Sequence, residues 1–326
     1  MQNQTTSSSS SSPAPARRSG AGPRPPWNRP AGALSGPLPI LVAAVLWGTT
    51  GTASSLAPAG ASAAAIGAAG MALGGLLLFL TSRGARSLPA RCTGAERRLL
   101  VLGALATAGY PLTFYPAVAR TGVAVATVIA LGSAPVFTGL LAWAFGRTRP
   151  TARWTLATLA AVLGCVLLVL GPQFAGDAGR VDTLGVLLAA LAGLSYAVYS
   201  LIGGRLIVRG HASGAVMGTM FGAAGLLVLP VLLSADTHWL TTARGAAVAV
   251  HLAFFTTFLA YRLFGHGLRH TTASAATTLT LAEPAVAAAL GVAVLGERLP
   301  AVAWCGMAVL ALGLAVLTAP AGRRGR

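Results

Sequence analysis

Long apolar runs broken by short polar links make up most of the chain. They fall near residues 37–57, 61–81, 99–118, 122–145, 154–171, 183–204, 212–233, 245–267, 272–295 and 301–319. Each approaches the roughly 20 residues with which an α-helix crosses the hydrocarbon core of a bilayer. Backbone groups in lipid find no water, so such runs must close their hydrogen bonds within themselves as helices. The links are short, so neighbouring helices run antiparallel. The pattern predicts an all-α integral membrane protein of ten transmembrane helices.

The polar positions orient the bundle. With a cytoplasmic N-terminus, nineteen of the 23 basic residues fall on the cytoplasmic side. They are Arg17, Arg18, Arg24 and Arg29 in the leading segment, then Arg83, Arg86, Arg91, Arg97 and Arg98 after the second run. Arg147, Arg149, Arg153, Arg205, Arg209, Arg262, Arg269, Arg323, Arg324 and Arg326 complete the set. The opposite side receives Arg120, Arg180, Arg244 and Arg298. Basic residues accumulate in cytoplasmic links, so both termini are predicted cytoplasmic. A missed helix would scramble the asymmetry.

Composition agrees. Charged residues are 9% of the chain, against about 25% in soluble domains, which is too few to cover a water-facing surface. The net charge of +17 raises the question of nucleic acid. The arginines are dispersed between apolar runs, with no basic face interleaved with aromatics, so no nucleic-acid partner is expected. Residues 1–36, rich in Ser, Pro, Gly and Arg, read as a disordered cytoplasmic tail. They do not have the form of a signal peptide. Residues 320–326 read as a basic cytoplasmic tail. Cys92, Cys165 and Cys305 lack metal-ligand spacing, and no disulfide is expected.

The chain also repeats itself. At an offset of 149, Trp47 falls on Tyr196, Arg120 on Arg269 and Pro135 on Pro284. After one inserted residue, Gly146 meets Gly296, Pro150 meets Pro300 and Trp154 meets Trp304. Five helices therefore repeat as five, over residues 37–171 and 183–319 with an external linker at 172–182. Five is odd, so the second unit is inverted in the membrane. Inverted repeats recur in secondary transporters, with binding near the midplane.

Particular motifs carry a further likeness. They are Ala-Glu-Pro-Ala at 282–285, Leu-Gly-Glu-Arg-Leu-Pro at 295–300 and Trp304, with Ala-Pro-Val-Phe at 134–137 and Phe-Gly-Arg-Thr-Arg-Pro at 145–150 in the first half. With Trp47-Gly48 and Ser195-Tyr196, this ordered set resembles the EamA-type branch of the drug/metabolite transporter superfamily. The resemblance covers about residues 37–319 and implies a ten-helix carrier with a central cavity. The first half departs from the pattern: it carries Gly146-Arg147 in place of Gly-Glu-Arg, and Ala134 where the second half has Glu283.

Glu283 is the sharpest candidate for chemistry. It lies near the middle of the ninth run, where a carboxylate is costly and usually faces a cavity or a partner. It reads as a proton-coupling group, a contact for a cationic substrate, or a helix-to-helix hydrogen bond. Arg262 is its prospective partner, or else snorkels to the interface. Pro135 and Pro284 are candidate gating hinges, since proline frees a carbonyl and bends a helix. Trp47 and Thr50, with Tyr196, Tyr199 and Ser200, form equivalent patches in the two halves, and Tyr110 and Tyr115 join them as candidate cavity residues. Gly70/Gly74 and Gly218/Gly222 have the spacing of close helix packing. His251 reads as a satisfied polar group, and His266/His270 as too bare for zinc.

These features predict a secondary transporter in the cytoplasmic (inner) membrane. It would move a small metabolite, such as an amino acid, with export favoured, by alternating access. A membrane-embedded enzyme or a channel is the alternative. No phosphate-binding loop for ATP occurs, and no cofactor or metal is expected. The expected partners are a small-molecule substrate and the lipid bilayer, with proton coupling through Glu283. Monomer and homodimer both stay open.

Overall fold

The computed structural model describes residues 35–146, 149–170, 182–295 and 299–319. The expectations for residues 1–34, Arg147, the linker up to residue 181, the Gly-Glu-Arg of 296–298 and residues 320–326 lie outside this range. The first spans are α1 (Pro37–Ser55) and α2 (Ala63–Thr81). A single turn, α3 (Leu88–Arg91), precedes α4 (Gly94–Thr121), α5 (Val123–Gly146) and α6 (Ala152–Leu170). The second half opens with α7 (Thr183–Val208) and α8 (Ser213–Ser234). A 3-10 turn (His238–Thr241) leads into the eighth span, which runs through α9 (Ala243–His251), a π-helical segment (Leu252–Leu259) and α10 (Ala260–Gly267). The ninth consists of α11 (Ala273–Leu279) and α12 (Ala282–Leu295), and α13 (Ala301–Thr318) is the tenth. Among the described residues, ten helical stretches are long and apolar enough to cross a membrane.

The third span starts five residues before its apolar run. Thr93 Oγ1 accepts from the Glu96 amide at 3.3 Å, and Glu96 Oε2 accepts from the Thr93 amide at 3.0 Å. This reciprocal cap satisfies two orphan donors and nucleates a turn that contains three charged residues. Hydropathy hides such a turn.

Packing is symmetric between the halves. The most extensive contacts are α6 with α13 and α2 with α8. α7 lies against α4 and α5, and its counterpart α1 lies against α10 and α12. Exchanging the first five spans for the last five returns these same pairs, as two five-helix repeats require. Lipid gives no hydrophobic reason for helices to associate, so close backbone approach must do much of the work. A methyl group on Gly164 would stand 2.3 Å from the Leu310 amide, and one on Gly306 2.4 Å from the Leu168 amide. Gly70 and Gly74 face Leu252 and Thr257, while Gly218 and Gly222 face Ser82 and Phe79. Both Gly pairs thus serve packing within the molecule. Arg153, at the start of α6, donates to the carbonyls of Val316 at 2.9 Å, of Leu317 at 3.1 Å and of Ala319. It thereby caps the carbonyl end of α13, where a cation is favoured.

The outer face is apolar, as a lipid-facing surface must be: Leu105, Leu156, Leu159, Leu187, Leu226 and Leu312 are all more than half exposed. The interior combines many alanines with leucine, isoleucine, methionine and aromatic side chains.

Candidate functional site

Two spans are interrupted within their length. Pro284 has no amide hydrogen, so the Thr280 carbonyl cannot take its usual donor four residues on. It accepts from the Glu283 amide instead, at 3.0 Å. The preceding threonines loosen the turn further. Thr278 donates to the Ser274 carbonyl at 3.0 Å, and Thr280 to the Thr277 carbonyl at 2.9 Å. Such back-bonding bends helices. The ninth span consequently breaks at Thr280–Leu281, and Glu283 lies in the first turn of α12. Its counterpart α5 runs unbroken through Pro135. The two prolines are equivalent in sequence and unequal in effect.

In the eighth span the π-helical segment widens the turn around Thr256 and Thr257. Such segments concentrate at functional sites. Trp47 Nε1 donates to the Thr256 carbonyl at 2.8 Å, tying α1 to this segment.

Between these interruptions lies a cavity of about 590 Å³. It is walled by Trp47, Tyr110, Phe114, Tyr115, Tyr196, Tyr199 and Tyr261, with hydroxyls from Thr50, Thr127, Thr256 and Thr257. Glu283 also lines it, and among the described lining residues it is the one charged group. No group among the described residues hydrogen-bonds to its carboxylate. An apolar pocket with a few placed polar groups is the usual form of a small-molecule site.

The rings hold one another in place. Tyr196 stacks on Tyr199 with centroids 5.1 Å apart, and Trp47 meets Tyr261 at 4.9 Å. Tyr199 and Tyr261 hydroxyls lie 3.2 Å apart, and the Tyr196 hydroxyl donates to Thr280 Oγ1 at 2.9 Å. Gly67 makes room for Tyr115, since a methyl group there would stand 1.6 Å from the Tyr115 hydroxyl.

The cavity reaches one end of the bundle, beside Ser54, Ala61 and Ala63 of the α1–α2 corner and Val118 and Val123 of the α4–α5 corner. Beyond Tyr199 and Tyr261 the way is filled. Phe221 lies 3.9 Å from the Tyr261 ring, and Phe221, Met217 and Phe264 are completely buried.

Of the residues singled out from the sequence, Trp47, Thr50, Tyr110, Tyr115, Tyr196, Tyr199 and Glu283 line this cavity. Two do not. Arg262 is exposed, with its guanidinium 5.4 Å from the centre of the Phe258 ring. It follows Tyr261 by one position, about 100° round the helix, and so turns away from the face that lines the cavity. It does not pair with Glu283. Ser200 is wholly buried beyond the cavity wall, and its hydroxyl has no partner among the described residues. His251 is satisfied by Thr49 Oγ1 at 2.9 Å. Sequence reasoning missed Tyr261, Phe114 and the π-helical threonines. The four-residue spacing of Thr257 and Tyr261, which puts them on one helix face, is the signal in the sequence that points to them.

Comparison with known proteins gives consistent matches. The EamA-like transporter family matches residues 34–170 and again residues 183–319. The chain is 40% identical over 281 residues to an uncharacterized transporter, YwfM, of Bacillus subtilis (strain 168), covering 86% of this chain and 92% of that one. It is 29% identical over 290 residues to the threonine/homoserine exporter RhtA of Escherichia coli (strain K12), covering 88% and 90%. A solved crystal structure superposes with a TM-score of 0.69 at 22% identity, over 87% of this chain and 97% of the other, a likeness of fold.

Proposed function

Because the chain belongs to the EamA-like transporter family, and with its ten spans is a multi-pass transporter of the cell membrane, we propose that it is a secondary transporter working by alternating access on a small metabolite bearing an ammonium group. In this reading residues 37–171 and 183–319 are the two inverted repeats, joined by an external linker at 172–182 and flanked by cytoplasmic tails at 1–36 and 320–326. The arginine distribution supports placing both termini in the cytoplasm. The cavity mouth then faces outward.

The observation that carries the substrate class is the unpaired Glu283 carboxylate in a cavity walled by tyrosine and tryptophan. Aromatic faces attract cations, and a desolvated carboxylate needs a countercharge or a proton. The substrate ammonium group supplies the first in one half of the cycle, and a proton replaces it in the other. The hydroxyls of Thr50, Thr127 and Thr257 supply donors for a substrate carboxylate, which suits an amino acid or a related compound. RhtA is named for exporting two such compounds, and export is the direction favoured here. Rocking the repeats against each other would open the plug of Met217, Phe221 and Phe264 and close the mouth, with Pro135 and the Pro284 break as hinges.

The test is flux of labelled threonine, homoserine and simple amines through proteoliposomes containing the purified protein. Saturable, stereoselective flux driven by a pH gradient is expected. Flux that rises linearly with concentration would indicate a channel, and product formation without a gradient would indicate an enzyme.

A further inference from the structure

A second cluster lies at the end of the bundle opposite the cavity mouth. Cys92 ends the turn of α3, Glu96 opens α4, and His211 follows α7 at the corner leading to α8. Cys92 Sγ is 4.0 Å from His211 Nε2, which is 3.5 Å from Glu96 Oε1. All three ligating atoms lie within 4.8 Å of one another. Cys92 is buried, and Glu96 and His211 are half-buried. Sequence spacing concealed the group, because Cys92 and His211 stand 119 positions apart.

We propose that Cys92, Glu96 and His211 form a binding site for a single divalent transition-metal ion of the zinc type. The argument is geometric and chemical. Metal–ligand bonds of about 2.0–2.3 Å in a tetrahedral site put neighbouring ligand atoms roughly 3.4–3.6 Å apart. Two of the separations, 3.5 and 4.0 Å, stand within about half an ångström of that triangle, and the third is no more than 4.8 Å. Thiolate, imidazole and carboxylate are the ligand types that zinc accepts, and three protein ligands leave the fourth position to water. The reciprocal cap with Thr93 uses Glu96 Oε2, which fixes the carboxylate and turns Oε1 toward His211. Without a metal, Oε1 rests 3.5 Å from Arg209 Nη1. That arginine is 39% exposed and free to swing into solvent. Binding releases the thiol proton of Cys92 to solvent and exchanges metal-bound waters for the three protein ligands; no redox change is involved.

The position gives the site a consequence. Cys92 and Glu96 belong to the first half and His211 to the second, so one ion would tie the halves together at the closed end. It would hold the bundle with its opposite mouth open and slow the cycle. This inference does not depend on the identity of the transported compound.

The probe is Co²⁺ added to the full-length protein carrying Cys305→Ser, which removes the exposed thiol. One equivalent is expected to give tetrahedral absorption with a thiolate-to-cobalt charge-transfer band. Zn²⁺ is expected to displace it and to raise the melting temperature. Cys92→Ser should lose the charge-transfer band, and His211→Gln should weaken binding by at least tenfold, with metal-free melting near that of the parent in each. Glu96→Gln serves as an independent ligand change should either of those variants fold poorly. No charge-transfer band from the parent, or an unchanged band in Cys92→Ser, overturns the proposal.

Discussion

The hydroxyl of Tyr196 donates to Thr280 Oγ1 at 2.9 Å, so the first-helix counterpart in the second repeat reaches the break in the ninth span. The residue aligned with Tyr196 is Trp47, and it reaches the other interrupted span, donating to the Thr256 carbonyl. Each interruption is thus held by one amphipathic aromatic from the leading helix of a repeat.

Removing either bond should loosen the cavity without unfolding the bundle. Tyr196→Phe loses one buried hydrogen bond, an effect on stability of about 1 kcal/mol, and Trp47→Phe loses one together with the packing of the larger ring, which adds a cavity cost. Both are expected to lower transport several-fold while the protein still purifies as a monodisperse species. A flux assay beside thermal unfolding separates the two effects. Unchanged flux in both variants would mean that the interruptions do not need these anchors.

Glycine substitutions should divide according to what they meet. Gly164→Ala drives a methyl group into the backbone of α13, which cannot yield without parting the two helices. Gly67→Ala meets only the end of the Tyr115 side chain, which has the cavity to move into. Overpacking typically costs about 1–3 kcal/mol. Gly164→Ala is expected at the top of that range or beyond, with reduced expression. Gly67→Ala should fold nearly normally and transport poorly, because the displaced ring fills the cavity. Melting temperature and flux measured on the same preparations check both.

Much of this was legible in the chain. Hydropathy located ten spans, because lipid imposes a minimum apolar length that needs no tertiary information. The offset that laid Trp47 on Tyr196 led to four of the cavity residues, Trp47, Thr50, Tyr196 and Tyr199, and the cost of a mid-span carboxylate led to Glu283. What stayed hidden depends on local hydrogen bonding. Pro135 and Pro284 look alike in sequence, yet only the second lies at a break, after Thr278 and Thr280, which both donate to preceding carbonyls; before Pro135 only Ser133 does so among the described residues, and the helix runs on. The π-helical widening that brings Thr256 and Thr257 to the cavity has no compositional mark. Arg262 was drawn toward Glu283 by charge alone, whereas its angular position on the helix puts it over Phe258.

At the mouth end of the bundle, Asp182 caps α7 by accepting from the Gly185 amide at 2.8 Å, and it also meets Arg120 at 3.2 Å. The Gly185 amide, more than Arg120, holds its carboxyl below the usual aspartate range. A depressed folded-state value contributes stability above the unfolded value near 3.9 and loses it as the pH falls through the folded one. Asp182→Ala should therefore lower the melting temperature at neutral pH, and the difference from the parent should shrink below about pH 4. Arg120→Ala should matter less, since an exposed ion pair contributes little. Thermal unfolding across pH tests the ranking; equal effects from both variants would contradict it.

Arg153 offers a similar comparison. Its guanidinium spans the carbonyls of Val316, Leu317 and Ala319. Lysine cannot reproduce that fork. Arg153→Lys is expected to lower the melting temperature nearly as much as Arg153→Ala, with full recovery by lysine as the contrary result.

The most direct test of the central claim is flux by Glu283→Gln in proteoliposomes, measured across pH with and without an imposed proton gradient. Glutamine keeps the size and a hydrogen-bonding end but can neither carry a charge nor exchange a proton. The account predicts a folded variant, with near-parental melting temperature, that has lost gradient-driven flux and has weaker affinity for the ammonium-bearing compound. Flux equal to that of the parent at every pH would show that the carboxylate neither binds the substrate nor couples the proton, and would contradict the account.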